Sequence, residues 1–303
     1  MTDRKSHLDV LAVTLILACT VVWGLGQVAS KVGLREIPAL TQAGMRSLGA
    51  AVLVALWATW RGVPLRQRDG TWWPGLAAGI LFAAEFACIF LGLRYTTVGR
   101  MTVFLYLAPF VVALGMPLLL KVERLTRAQM AGLVAAFSGV ALAFSEGFTG
   151  ATAGPQQWLG DTLGVVAALG WGATTLLIRA SSLASTPPAK TLLYQLGVSA
   201  LLLLPLGLLT ESAVAWPVNG WVAVSLAFQV IVVGSTSYLV WFWLIRHYPA
   251  TRLSAFTLLT PVLGLVAGAV LLAEPLTTRL LLALGTVCVG IYLVNRVRVV
   301  APR

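Results

Sequence analysis

The sequence predicts an all-α membrane protein: ten transmembrane helices, arranged as two inverted five-helix repeats around a central cavity. Three observations lead there. First, 59% of the 303 residues are hydrophobic and only 10% are charged, more apolar surface than one soluble core can hide. Second, the apolar runs are continuous, about twenty residues long and without the alternation of barrel strands, so helices rather than a β-barrel satisfy the backbone within lipid. Third, one stretch occurs twice: RMTVFLYLAPFVVALGMPLLLKVE, Arg100 to Glu123, returns as RLSAFTLLTPVLGLVAGAVLLAE, Arg252 to Glu274. In both copies an arginine precedes a proline by nine positions and a glutamate closes the apolar run.

Hydropathy and length place the spans near residues 8–32, 41–60, 72–94, 97–120, 126–146, 159–180, 190–210, 219–245, 250–273 and 277–297. The N-terminal run superficially resembles a signal peptide. It continues through Val28, longer than a typical signal h-region, and reads as the first transmembrane helix. With the N-terminus in the cytoplasm, Arg61, Arg66, Lys121, Arg127, Arg179 and Lys190 fall on the inner side with most other cations, and only Lys31, Arg35, Arg94, Arg100 and Arg279 fall outside. That bias puts both termini in the cytoplasm.

Trp23-Gly24 followed by Lys31 in span one matches Trp171-Gly172 followed by Arg179 in span six, at identical spacing. Span one therefore pairs with span six, and span four with span nine. Five helices is an odd number, so the second half crosses the membrane in the opposite sense. The repeats occupy 1–146 and 158–303, joined by an external linker, 147–157, that has no Lys or Arg. Such repeats suit alternating access, and interrupted helices at matching places point to a binding site. Pro109 and Pro261 are the expected gating or helix-kink positions, since each removes a backbone donor in mid-span. The bland reading is that proline only kinks a membrane helix.

The net charge of +11 lies in short loops with no extended basic face, which argues against nucleic acid. Cys19, Cys88 and Cys288 lie within spans and are odd in number, so no disulfide framework is expected. There is no GxxxxGK[ST] phosphate loop, and His7 and His247 lack metal-ligand spacing. No cofactor or metal follows.

Glu85 is the one acidic residue read as well inside a span, and an ionisable group at that depth is by default functional. Alignment of the halves sets Ser237 or Tyr238 at the corresponding place in span eight. Arg100 and Arg252 open spans four and nine, where a guanidinium can hold a carboxylate in bidentate fashion; interfacial anchoring is the alternative. Arg46 reads as a snorkelling or structurally paired residue near the outer side. Trp23, Tyr106, Trp171 and Tyr238 are candidate walls for an apolar solute, while Trp72, Trp73, Trp158, Trp216 and Trp221 read as interfacial belt residues. Gly264 with Gly268, and Gly75 with Gly79, form small-xxx-small patterns for close packing. Spans five and ten, with Gly132, Gly139, Gly285 and Gly290, look like scaffold.

WG in spans one and six, GLRYTTVGR leading into YLAPF at Tyr106 to Phe110, and then Glu123-Arg-Leu-Thr and Glu274-Pro-Leu-Thr together resemble the EamA family of the drug/metabolite transporter superfamily. The resemblance covers nearly the whole chain and is nearest to the aromatic amino acid exporter branch. It implies a bacterial inner-membrane protein with a basket-like bundle, exporting amino acids or related metabolites. The expectation is a secondary transporter, not an enzyme, with Trp23, Glu85, Arg100, Tyr106, Trp171 and Tyr238 binding substrate. Its expected partners are a small-molecule substrate and the lipid bilayer; a homodimer is left open, as are the energy source and the exact substrate. The alternatives are a structural or receptor-like membrane protein without transport, and an intramembrane enzyme, for which a reactive cluster is missing.

Overall fold

The computed structural model describes residues 8–67, 69–120, 127–147, 154–248, 253, 256–257 and 259–295; no β-strand occurs among them. The helices are α1 (Val10–Gly33), α2 (Ala39–Trp60), α3 (Trp72–Gly92), α4 (Val98–Leu105), α5 (Ala108–Leu120), α6 (Arg127–Gly147), α7 (Gln157–Ala180), α8 (Pro188–Thr210), α9 (Gly220–Ala227), α10 (Tyr238–His247), α11 (Leu259–Leu272) and α12 (Thr278–Asn295). A short 3₁₀ turn, Ser182–Ser185, links α7 to α8, and a π-helical segment, Phe228–Ser237, joins α9 to α10.

Seven helical stretches among the described residues are long and apolar enough to cross a membrane, and three shorter apolar helices accompany them. The 24 residues of α1 span about 36 Å at the helical rise, enough for a hydrocarbon core of about 30 Å. Asp9 starts that helix by accepting a hydrogen bond from the Ala12 amide at 2.9 Å. Large apolar side chains face outward along the bundle, Leu209, Trp60 and Trp221 among them, as a lipid-facing surface requires. Trp72, Trp73, Trp158, Trp216 and Trp221 are all exposed, in keeping with a belt position.

Glycine sets where helices cross. A Cβ on Gly79 would lie 2.5 Å from Val198 Cβ, and one on Gly75 would enter the Tyr194 ring, so this face of α3 lies directly on α8. A Cβ on Gly24 would sit 3.0 Å from the Gly264 amide nitrogen, which joins α1 to α11. The corresponding Gly172 of α7 meets Val111 Cβ at 2.5 Å. Each Trp-Gly pair therefore packs just beyond a proline of the duplicated stretch, Pro261 in one case and Pro109 in the other. Helices α6 and α12 pack against each other, with Gly290 close to the Gly132 carbonyl, as expected of scaffold.

Span four is interrupted, and the break precedes its proline. The α-helical run stops at Leu105 and restarts at Ala108. Across the gap Leu107 N–H bonds to Phe104 O at 3.0 Å, a tightened turn. Pro109 has no N–H for the Leu105 carbonyl, and its ring would crowd that carbonyl in a regular helix, so the disruption falls one turn upstream. The middle of span eight widens instead of breaking: it is π-helical from Phe228 to Ser237, and the Thr236 hydroxyl bonds there to Ile231 O, five residues back, at 2.7 Å. Sequence gave no sign of this second irregularity, because no proline lies within it. The expectations for Glu123 and Arg252 lie outside the described residues.

Candidate functional site

A cavity of about 430 Å³ lies within the bundle, within the usual range for a small-molecule pocket. Aromatic rings make its walls. Tyr106, in the break between α4 and α5, meets Trp171 of α7 edge to face at 5.9 Å, and Trp23 of α1 meets Trp241 of α10 in the same manner at 5.6 Å. Trp23 is further fixed by its indole N–H, which donates to Ser237 Oγ at 2.9 Å. At one end the cavity reaches Arg179, an exposed residue in the last turn of α7, and so opens to the surface there.

An acid and a base share this apolar space. Glu85 of α3 lines it and is only 7% exposed; the glycine at 170, beside Trp171, leaves room for its stem. Arg46 of α2 also lines it, 3% exposed, with its guanidinium 4.2 Å from the centre of the Phe86 ring. The Tyr238 hydroxyl hydrogen-bonds the Arg46 guanidinium, and Arg46 and Glu85 close no ion pair with each other. Its Nη1 is buried without a hydrogen-bond partner, and so is Oε1 of Gln42; Gln27 Oε1, on the cavity wall, is a third such atom.

Toward the other end of α7 from Arg179, a polar cluster ties α4 to α6 and α7. Arg100 is 1% exposed. Its Nη2 lies 2.5 Å from Asp161 Oδ2, its Nε donates to Asp161 Oδ1 at 3.1 Å, and its Nη1 donates to Glu146 Oε2 at 2.9 Å. The Ala143 carbonyl accepts a further bond at 2.6 Å. Thr96 donates to Asp161 at 2.6 Å and Thr277 to Glu146 at 2.8 Å, so the acids are held from both sides.

Beside this cluster Glu274 accepts the Val98 and Gly99 amides at 2.9 and 3.3 Å, placing a carboxylate on the positive end of α4. Lys31 at the end of α1 pairs with Glu274 at 3.6 Å and donates to the Thr96 carbonyl. Glu274 reaches α4 by folding back over α11: Ala273 adopts φ 54°, and a Cβ on Gly268 would lie 2.5 Å from the Glu274 carboxylate. The Glu-Pro-Leu-Thr stretch thus works as a two-point latch, Glu274 on α4 and Thr277 on α6.

The open end carries a separate tie outside the spans. Lys190 donates to Asp69 at 2.8 Å and to the Gln67 carbonyl at 2.9 Å, anchoring the α2–α3 loop to α8. The Lys190 ammonium and the Thr71 hydroxyl hold the Asp69 carboxyl down at about 2.

Of the residues expected at the site, Trp23, Glu85, Tyr106, Pro109, Trp171 and Tyr238 line this cavity. Pro261 is buried and does not line it, although its neighbour Thr260 does. Arg100 is a correction: its donors are taken by Asp161, Glu146 and a carbonyl, and it does not line the cavity, so it braces α4 against α6 and α7 and is not available to a solute. Arg46 is the second correction. It does not snorkel, because burial on Phe86 turns its head group into the cavity. Glu85 is also not the only buried acid within a helix, since Asp161 in α7 is 0% exposed; the sequence signal was the lone aspartate of WLGDTLGVV.

The sequence matches the model of the EamA-like transporter family over residues 10–145 and again over 158–296. The chain belongs to the EamA-like transporter family. It is accordingly a multi-pass membrane transporter. A Bacillus subtilis protein called an uncharacterized transporter is 29% identical over 93% of this chain and 90% of its own length. A Salmonella typhimurium protein named "Probable amino-acid metabolite efflux pump" is 28% identical over 92% of this chain and 93% of its own, and an Escherichia coli protein of the same name is 27% identical over the same shares. A solved crystal structure shares the fold at a TM-score of 0.66 and 18% identity, covering 93% of this chain and 96% of that one. The EamA-like family and these relatives' names point to transport and not to catalysis.

Proposed function

We propose that the protein exports amino acids or related small metabolites across the bacterial inner membrane as a secondary transporter, by alternating access. In this reading the ten spans form two inverted repeats, 1–146 and 158–303, about the linker 147–157, with both termini in the cytoplasm. Pro109 and Pro261 mark the bent members, and Trp23, Glu85, Tyr106, Trp171 and Tyr238 contact the solute.

One observation carries the reading: an aromatic cavity holding a buried acid and base, which reaches the exposed Arg179; in this reading the Arg100 cluster and the Glu274 latch close the Lys31 end. With the N-terminus inside, the open end faces the cytoplasm, which suits loading for export. The duplicated motif supports exchange of open and closed ends, and the efflux-pump names of two relatives support amino-acid metabolites as cargo.

The test is efflux of a labelled amino-acid panel from proteoliposomes, with and without a pH gradient. Saturable efflux of at least one member is expected, reduced in Glu85→Gln. Absence of flux for every member in correctly inserted protein contradicts the export reading and leaves a receptor-like role.

A further inference from the structure

We infer that Arg46 and Glu85 form a two-point site for a zwitterionic solute, Arg46 holding its carboxylate and Glu85 its ammonium, with the aromatic walls taking an apolar side chain. The inference rests on the transport reading above and narrows it to one charge pattern.

Both groups line the cavity and both are at least nine-tenths buried, Arg46 at 3% and Glu85 at 7% exposure. Nη1 of Arg46 has no hydrogen-bond partner. The Tyr238 hydroxyl hydrogen-bonds elsewhere on the guanidinium, so Nη1 is the donor left open, and a buried guanidinium donor left unbonded is costly. Phe86 covers the guanidinium face at 4.2 Å, which leaves the Nη1 side of the planar edge to donate to a carboxylate.

Glu85 does not supply that carboxylate, for the two side chains close no ion pair. An acid and a base that share a poorly solvated space without joining leave room for a molecule carrying the opposite charges. Gln27 adds an unpartnered acceptor, Oε1, on the same wall, suited to an ammonium or amide N–H. A solute with only one charge would satisfy one group and leave the other buried alone. The Tyr106–Trp171 and Trp23–Trp241 pairs suit an apolar or aromatic side chain.

Three probes of matched shape decide the matter: L-phenylalanine, phenethylamine, which lacks the carboxylate, and 3-phenylpropanoate, which lacks the ammonium. Binding of each to the full chain in nanodiscs is measured for wild type, R46Q, R46K and E85Q. Wild type is expected to favour phenylalanine over both analogues. R46Q is expected to weaken phenylalanine about tenfold to a hundredfold, the worth of a charge-assisted hydrogen bond, while leaving phenethylamine unchanged; E85Q does the converse with 3-phenylpropanoate, and R46K retains part of the affinity. Unchanged phenethylamine binding also shows that R46Q is folded. If R46Q does not fold, the wild-type ranking decides, and equal affinity for all three probes overturns the inference. Wild type that transports amino acids while R46Q binds phenylalanine equally well overturns the two-point site alone. Wild type that neither binds nor moves any amino acid overturns the site together with the export reading.

Discussion

Arg100 and Arg46 are both almost fully buried in a lipid-embedded bundle, and their surroundings could hardly differ more. Arg100 meets two carboxylates and a carbonyl, whereas Arg46 rests on a ring, faces open space and keeps an unbonded Nη1. A fully partnered buried charge adds rigidity, because removing it strands the charges around it. A buried charge left open has unused binding capacity. The contrast separates a saturated arginine from an unsaturated one within one chain, and in the proposed reading a seal from a site, although both look alike in sequence.

The largest expected effect tests the seal. Arg100→Met leaves Asp161 and Glu146 buried without their cation and should destabilise the protein by about 3–5 kcal/mol, seen as a lowered unfolding temperature in nanodiscs. Arg46→Gln should cost less than about 2 kcal/mol, the upper range for the lost cation–π contact with Phe86, while its main effect falls on solute affinity. Similar losses of stability for the two variants would erase the distinction drawn between them.

Much of this arrangement could be read before the coordinates. Continuous apolar runs define helices because lipid leaves the backbone no other partner, and small-xxx-small spacing marked the crossings at Gly75, Gly79 and Gly264. Trp23, Glu85, Tyr106, Trp171 and Tyr238 stood out because polar or amphipathic groups are few at depth, and all five line the cavity. Arg100, expected at the site, is saturated, and Arg46, expected to snorkel or pair, is buried with an unbonded Nη1, for a physical reason. Whether a guanidinium is saturated depends on acids remote in sequence, Asp161 lying 61 positions from Arg100, and no local pattern reports that. The π-helical turn before Tyr238 was equally hidden, since β-branched and small residues there fit either winding.

A smaller effect sharpens the comparison from the side of packing. Gly44 lies two residues before Arg46, and a Cβ there would come within 2.5 Å of the Leu204 backbone. Gly44→Ala should therefore push α2 from α8, costing about 1–3 kcal/mol and weakening solute binding by shifting Arg46. Gly197→Ala, where added atoms meet nothing within 4 Å, should leave both unfolding temperature and affinity near wild type.

The smallest effect concerns the tie at the open end. Because the Asp69 carboxyl is held down at about 2, its contribution is present above the ordinary carboxylate value near 4 and is lost as the pH falls through about 2. The unfolding-temperature difference between wild type and Asp69→Asn should accordingly be steady at neutral pH and shrink in acid. A difference that grows on acidification contradicts the pairing with Lys190.

The most direct test is a single cysteine at Gln27→Cys, on the cavity wall four residues before Lys31, in protein lacking Cys19, Cys88 and Cys288. In the resting protein a membrane-impermeant thiol reagent should label it from the Arg179 side and not from the Lys31 side, and Arg100→Gln should admit label from both. Labelling of the resting protein from the Lys31 side, or equal labelling from both sides before the seal is weakened, would contradict a cavity closed by Arg100.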